Sequence, residues 1–155
     1  MPEVTIRPAT PADAEFLVRG NASMALETEH LSLDLERLRD GVHAVFEDPS
    51  RGVYYVAEVG GRRAGMMMIT SEWSDWRNGV FWWIQSVFVE PDLRGQGVFK
   101  ALYAHVENLA RAGGRVCGLR LYVENNNERA QSTYERCGMK RTAYQMFEKD
   151  FVLGR

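Results

Sequence analysis

The stretch Ile84-Gln85-Ser86-Val87-Phe88-Val89-Glu90-Pro91-Asp92-Leu93-Arg94-Gly95-Gln96-Gly97-Val98-Phe99-Lys100-Ala101-Leu102-Tyr103 reads as a strand, a tight turn, a glycine-bearing loop and the start of a helix. From Val80 to Val89 the chain is almost unbrokenly apolar, the pattern of a strand covered on both faces. Pro91 ends it, because proline has no N–H to give a ladder. From Val98 the apolar spacing changes from two to about 3.6, which sets Val98, Leu102, Val106 and Leu109 on one helical face. Gly95 and Gly97 stand at the junction, where the missing Cβ lets backbone approach a ligand closely. The first N–H groups of a helix there lack intrahelical partners and carry partial positive charge, so the loop is a candidate phosphate cradle. Gly-x-Gly alone also suits a strand-to-helix turn that binds nothing. No Gly-Lys-Ser/Thr is present, which disfavours a P-loop, and Lys100 occupies the place of the third Rossmann glycine.

Upstream, Val53 to Val59, Gly60-Gly61 and Arg62 to Ile69 spell a hairpin with a two-residue glycine turn. Glu72 to Gly79 then reads as a loop into the central strand. Leu33 to Phe46 reads as a helix, with Leu35, Leu38, Val42 and Val45 near helical spacing, ended by Asp48-Pro49-Ser50-Arg51-Gly52. The segment Met24 to Leu33, after Gly20, reads as polar and irregular. At the start, Val4 to Arg7 alternates as a short strand closed by Pro8, and Thr10 or Asp13 caps a helix whose Phe16 and Leu17 face the core. Downstream, Val116 to Val123 returns as a strand, Asn125-Asn126-Asn127 caps a helix ending at Gly138, and Met139 to Phe151 supplies one or two last strands. The order β-α-α-β-β-β-α-β-α-β is that of an α/β chain with one sheet and helices packed on it. No repeat or linker divides it, so one domain over residues 1–155 is expected.

Composition narrows the partners. The 155 residues are 45% hydrophobic and 26% charged, ordinary for a globular domain, and the net charge of -2 argues against nucleic acid. No apolar run approaches a membrane span, and Met1 to Arg7 lacks a signal peptide's pattern, which points to the cytosol. Cys117 and Cys137 make no metal pattern and read as ordinary buried thiols.

Three motifs carry a family resemblance. Val89-x-Pro91-x-x-Arg94-Gly95-x-Gly97 ahead of an apolar helix resembles the acetyl-CoA-binding motif of the GNAT superfamily of N-acetyltransferases, usually Arg/Gln-x-x-Gly-x-Gly/Ala. Phe99 departs from that pattern at its last position. Ile6-Arg7-Pro8-Ala9-Thr10-x-x-Asp13 resembles the family's opening strand and helix. Asn127-x-x-Ala130-x-x-x-Tyr134-x-x-x-Gly138-Met139 resembles its late motif, whose last position is more often Phe. The resemblance covers essentially the whole chain and implies a single mixed, mostly antiparallel sheet with helices on both faces.

It also implies roles. The backbone of Val87 and Val89 would pair with pantetheine like an added strand, and N–H groups from Gly95, Gly97, Val98, Phe99 and Lys100 would hold the pyrophosphate, with Arg94 lending charge. Asn127 would contact the pantetheine arm, and the Tyr134 hydroxyl would protonate the leaving thiolate. Read without the motifs, Tyr134 is a core tyrosine on a helical stripe with Ala130 and Cys137. Family members often place Glu or His four to six residues before the position of Val89, but here stand Trp83, Ile84 and Gln85, none of which titrates. Glu72 is the first substitute as general base, ahead of Glu27, Glu29 and His30. Glu27, Glu29, Glu72 and Asp75, with Trp73 and Trp76, could line an acidic, aromatic pocket for a cationic amine. For each carboxylate the plainer reading is a solvated surface charge.

The expectation is therefore an acetyl-CoA-dependent N-acetyltransferase acting on a primary amine, small or peptidic, in a ternary complex. The alternative is a non-catalytic acyl-CoA-binding module. Neither needs a metal, nucleic acid or membrane, and a homodimer stays open.

Overall fold

A computed structural model describes residues 2–154 and divides into two compact units, Met1–Glu124 and Asn125–Arg155.

The first unit is built on a five-stranded sheet of order β1-β2-β3-β4-β5: β1 (Val4–Pro8), β2 (Val53–Val59), β3 (Arg62–Ser74), β4 (Gly79–Val89) and β5 (Val116–Arg120). The first four strands pair antiparallel and β5 joins β4 in parallel. Gly60 and Gly61 turn the β2–β3 hairpin with φ of 57° and 77°, the left-handed pair such a turn needs. β3 runs five residues beyond the expected Ile69, so Glu72 and Trp73 lie on a strand rather than in a loop. The reason is a tight connection: Asp75 to Asn78 closes the hairpin, with Asn78 in the left-handed region and its N–H on the Asp75 carbonyl.

Neighbouring residues on β2 show how the sheet is covered. Tyr54 turns to the face packed by α1 (Ala14–Glu29) and α2 (Leu35–Glu47), where its ring meets Phe46. Tyr55 turns to the other face and meets His105 on α3 (Val98–Gly113). Leu17, Val42, Val56, Met66 and Phe88 close the first core. Val98, Leu102 and Val106, all nearly inaccessible, anchor α3 on the second face.

Helix α1 corrects the sequence expectation, because it passes through Gly20 and through the segment read as irregular. Gly20 is a contact glycine, not a stop: a Cβ there would lie 3.0 Å from Phe88 Cδ2. Buried Asn21 donates to the Leu17 carbonyl, and Thr28 to that of Met24, so the polar residues are absorbed within the helix. The helix ends only at His30, in left-handed conformation. Helix α2 starts two residues later than read, where the Asp34 carboxylate accepts from the N–H of Glu36 and Arg37.

The start of α1 is tied to the sheet by a buried carboxylate. Asp13 accepts from Arg7 at 2.8 Å through both oxygens, from Arg63 at 2.7 Å and from the Thr10 N–H at 2.8 Å. The Arg7 guanidinium, chiefly, holds the Asp13 carboxyl far below the usual range against the opposing effect of burial. A carboxylate depressed in the folded state contributes stability above its unfolded pKa of about 3.9, and that contribution is lost as pH falls through the folded value. Thermal melts should therefore show stability dropping below about pH 4. Asp13→Ala, which takes the carboxylate from Arg63 and leaves Arg7 with Glu58 alone, should cost about 2 kcal/mol in denaturant titrations at neutral pH. A loss under about 0.5 kcal/mol would reduce the cluster to an ordinary surface contact.

In the second unit, α4 (Glu128–Arg136) is capped by Asn127, whose Oδ1 accepts from the Ala130 N–H at 3.2 Å, and Gly138 follows it with φ 92°. Taken by itself the second unit forms no ladder, and residues 139–154, where one or two last strands are expected, carry no helix or strand within it. A strand needs a neighbour to satisfy its ladder groups, and alternation in sequence cannot supply one. The cysteine reading is also corrected, since Cys117 is exposed and Cys137 half-buried.

Candidate active site

The end of β4 combines an open strand edge with a helix N-terminus. β5 pairs with β4 only from Val80 to Trp83, where Trp83 faces Arg120. Beyond that point β3 still covers one side of β4, through Val89, but no strand of the described residues covers the other. Backbone groups from Ile84 to Phe88 on that side have no strand partner among the described residues, and the Val89 carbonyl accepts from Arg94. A bulge marks the place where the seam opens: Met68 faces Ser86 and Ile69 faces Ile84, so Gln85 is the extra residue.

The strand then enters a short 3-10 turn, Pro91–Leu93, and the glycine loop. Gly95 and Gly97 have φ of 77° and 84°, a conformation other residues adopt only under strain. Gly97 is the N-cap of α3, and the first intrahelical bond runs from Ala101 N–H to its carbonyl. The N–H groups of Val98, Phe99 and Lys100 thus stand ahead of that bond at the positive end of a 16-residue helix. Gly65 on β3 lets this end settle on the sheet, since a Cβ there would meet the Phe88 carbonyl at 2.8 Å and Val98 Cγ1 at 3.1 Å.

Arg94 clamps the loop. Its Nε donates to the Val89 carbonyl at 3.0 Å, its Nη2 lies 3.0 Å from the Glu27 carboxylate, and its guanidinium sits 6.0 Å from the Phe88 ring centroid. Glu27 therefore stands at the glycine-loop end of β4. Glu72 stands near the opposite end, facing Phe81, with Arg120 donating to it at 2.7 Å. Val89 lies eight residues along the strand from Phe81, roughly 25 Å. The structure thus separates the carboxylates that the sequence reading had gathered into one acceptor pocket. Glu29 stays with Glu27 at the end of α1, beside His30. Asp75 spends its Oδ1 on the Trp76 N–H in the β3–β4 turn, and the Trp73 and Trp76 rings are exposed. A cleft of about 670 Å³ beside the β2–β3 turn, lined by Phe16, Arg19, Arg62, Arg63 and Glu90 among others, collects none of the expected site residues.

Around Glu72 the packing is aromatic and cationic. Arg120 lies 3.6 Å and Arg77 4.9 Å from the centroid of the buried Phe81 ring. Gly118, the β5 partner of Phe81, is required by that ring, because a Cβ would stand 2.6 Å from Phe81 Cε1.

In the second unit Tyr134 lies on α4, and burial raises its phenol above the ordinary value, with Cys137 adding to the effect. The Asn127 side chain serves as the helix cap there. Among the described residues no cluster of His, Cys, Asp and Glu could hold a metal, and no helix is long and apolar enough to cross a membrane.

A family model described as the acetyltransferase (GNAT) family matches residues 22–139, a span from α1 to the end of α4. The chain belongs to the GNAT acetyltransferase family. Among similar solved structures, a possible acetyltransferase from Clostridium difficile 630 is 38% identical with a TM-score of 0.89, over 96% of this chain and 98% of that one. An aminoglycoside N-acetyltransferase solved in complex with CoA shares the fold at 14% identity, with a TM-score of 0.79 over 98% and 97% of the two chains. Mycothiol acetyltransferase of Corynebacterium aurimucosum is 28% identical over 130 residues. That match takes in 81% of the present chain but 42% of the relative, so the chain spans less than half of that protein's length. The GNAT fold expected from the motifs, a mixed and mostly antiparallel sheet with helices on both faces, is the fold observed.

Sequence reasoning missed the bulge at Gln85 and the partnership of Arg120 with Glu72. An apolar run on both sides of Gln85 hides the change of phase. Nothing in sequence spacing ties residue 72 to residue 120.

Proposed function

We propose that this GNAT chain is an N-acetyltransferase that passes an acetyl group from acetyl-CoA to a primary amine within a ternary complex. The observation that carries this reading is the uncovered edge of β4, from Ile84 to Val89, leading directly into a left-handed glycine loop and a helix N-terminus. An elongated ligand with a peptide-like arm and a pyrophosphate fits that combination: strand groups for the arm, N–H groups for the anion. Acetyl-CoA supplies a thioester carbonyl that an amine nitrogen can attack, forming a C–N bond as the C–S bond breaks.

The chain's own residues divide the remaining work. Val87 and Val89 offer main-chain groups to the arm, and an N–H near Val87 polarises the carbonyl. Gly95, Gly97, Val98, Phe99 and Lys100 hold the pyrophosphate. Arg94, already anchored to Val89 and Glu27, sets the loop's shape as much as its charge. Asn127 orders the start of α4, and Tyr134 on that helix returns a proton to the departing thiolate. The amine enters by the Glu72 end of β4 with Asp75, Trp73 and Trp76 near it, or by the Glu27 and Glu29 end. One domain over residues 1–155 and a cytoplasmic setting, where acetyl-CoA is supplied, complete the reading.

A specific observation favours the alternative of a cofactor-binding module: Glu72 is ion-paired with Arg120, which competes for the lone pairs a general base would use. Release of free CoA thiol against a panel of small amines, aminoglycosides, lysine and peptide N-termini separates the two. Protein-dependent release with any amine supports the transferase, and acetyl-CoA binding without release with all of them supports the module. Glu72→Gln tests the base directly, and acceptor use should fall about 10²-fold or more while acetyl-CoA affinity is unchanged. A full-rate variant from about pH 6 to about pH 9 would take Glu72 out of the mechanism and leave water as the proton relay.

A further inference from the structure

Helix α1 and the glycine loop meet at an ion pair between residues far apart in sequence. Because α1 continues to Glu29, with Thr28 bonded back to the Met24 carbonyl, Glu27 comes to lie against Arg94. Arg94 Nη2 stands 3.3 Å from Glu27 Oε1 and 3.0 Å from Oε2. Both side chains are partly open to solvent, at 40% and 43%. The backbone ahead of Arg94 is fixed. Arg62 grips Asp92 at 2.6 Å and 2.9 Å, and the Leu93 N–H bonds the Glu90 carbonyl. The movable part of this corner is the guanidinium.

That guanidinium also covers a rung of the open edge. Val89 faces Gly65, while the Glu90 N–H bonds the Ala64 carbonyl. Val89 is therefore a non-hydrogen-bonded member of the β3–β4 ladder, and its own N–H and C=O point away from β3. Arg94 Nε donates to that outward carbonyl at 3.0 Å. A single side chain thus holds the last acceptor of the edge and the charge of Glu27, four residues ahead of the N–H groups that begin α3.

On the reading that acetyl-CoA lies along β4, we infer that Glu27 is a positioning residue: it latches Arg94 across the open edge, and the cofactor must draw Arg94 away from it. Both halves of such a ligand compete with the observed arrangement. The arm needs the Val89 carbonyl that Nε occupies. The pyrophosphate brings an anion that a guanidinium meets through two parallel bonds. Release from Glu27 satisfies both demands in one movement. An exposed ion pair favours its closed state by a factor of about two to five, so the latch adjusts affinity and does not block binding.

Calorimetry with acetyl-CoA tests the latch. Glu27→Gln should bind about two- to fivefold more tightly than the native chain at about 20 mM salt. The gain should fade at about 500 mM, where exposed charges are screened. A helix end merely disturbed by the substitution gives neither the tightening nor its dependence on salt. In an Arg94→Gln background the same change at Glu27 should have no effect. A gain that persists there overturns the latch, because the carboxylate then repels the ligand directly. Unchanged or weaker binding by Glu27→Gln overturns it too, the weaker case making Glu27 a support that aims Arg94 at the ligand. Should Glu27→Gln fail to fold, Glu27→Asp keeps the charge and draws it back by one methylene. It should also tighten binding, and no gain there overturns the latch. A native chain that binds no acetyl-CoA removes the cofactor reading and the latch together, whereas native binding with no gain in the variants removes the latch alone.

Discussion

Replacing Tyr134 by phenylalanine is expected to leave a folded protein that binds acetyl-CoA nearly as well as the native chain and transfers acetyl about 10²–10⁴-fold more slowly. The substitution keeps the ring and the α4 stripe and removes one O–H. Burial raises the phenol, so it holds its proton through the neutral range and can donate it to a thiolate. The expected loss equals roughly 3–5 kcal/mol of barrier, the usual worth of a positioned general acid. Single-turnover rates are the proper measure, because slow product release would hide part of the effect in steady state. Native single-turnover rates in the phenylalanine variant would make Tyr134 a packing residue and nothing more.

Gly97→Glu is expected to abolish acetyl-CoA binding. The residue has φ of 84° and caps α3, so the new side chain starts with about 1–2 kcal/mol of backbone strain. A carboxylate at a helix N-terminus interacts well with the dipole, worth about 0.3–1 kcal/mol, so the helix itself should survive. What it cannot do is share the space with a pyrophosphate of the same charge. Calorimetry should show no measurable heat of binding, with a melting temperature close to native. Gly97→Ala separates the contributions, since it keeps the strain and lacks the charge. Unchanged affinity in the glutamate variant would place the cofactor elsewhere on the chain.

The strand, loop and helix around Gly95 and Gly97 were legible because each announces itself locally: an apolar run, a proline, a change of period, two glycines. The β2–β3 hairpin was legible for the same reason, through Gly60-Gly61. Helix α1 was misjudged at Gly20, because glycine serves both as a helix stop and as a place for close packing, and only the position of Phe88 tells which. Glu72 reads as a loop residue although four residues suffice for the turn, because sequence does not say how short a turn will be. The acceptor constellation failed for a deeper reason. Glu27 and Glu72 look alike as acidic residues outside the apolar runs, but their distance is set by β4, which lies between them in space and after both in sequence. Residues 139–151 read as strands because their composition is that of strands, and composition does not say where the neighbour is.

The chain order of the sheet has a kinetic consequence. β2, β3 and β4 form a meander joined by turns of two and four residues, closures that are fast and entropically mild. β5 must wait until the 16-residue crossover α3 has formed and returned to the sheet. By loop-closure entropy the β4–β5 seam costs more to close than the meander turns, and the β1–β2 seam, joined through α1 and α2, costs more still. The β4 edge on which the proposed ligand would lie therefore borders a seam closed over a long connection, while the strand itself belongs to the locally closed meander.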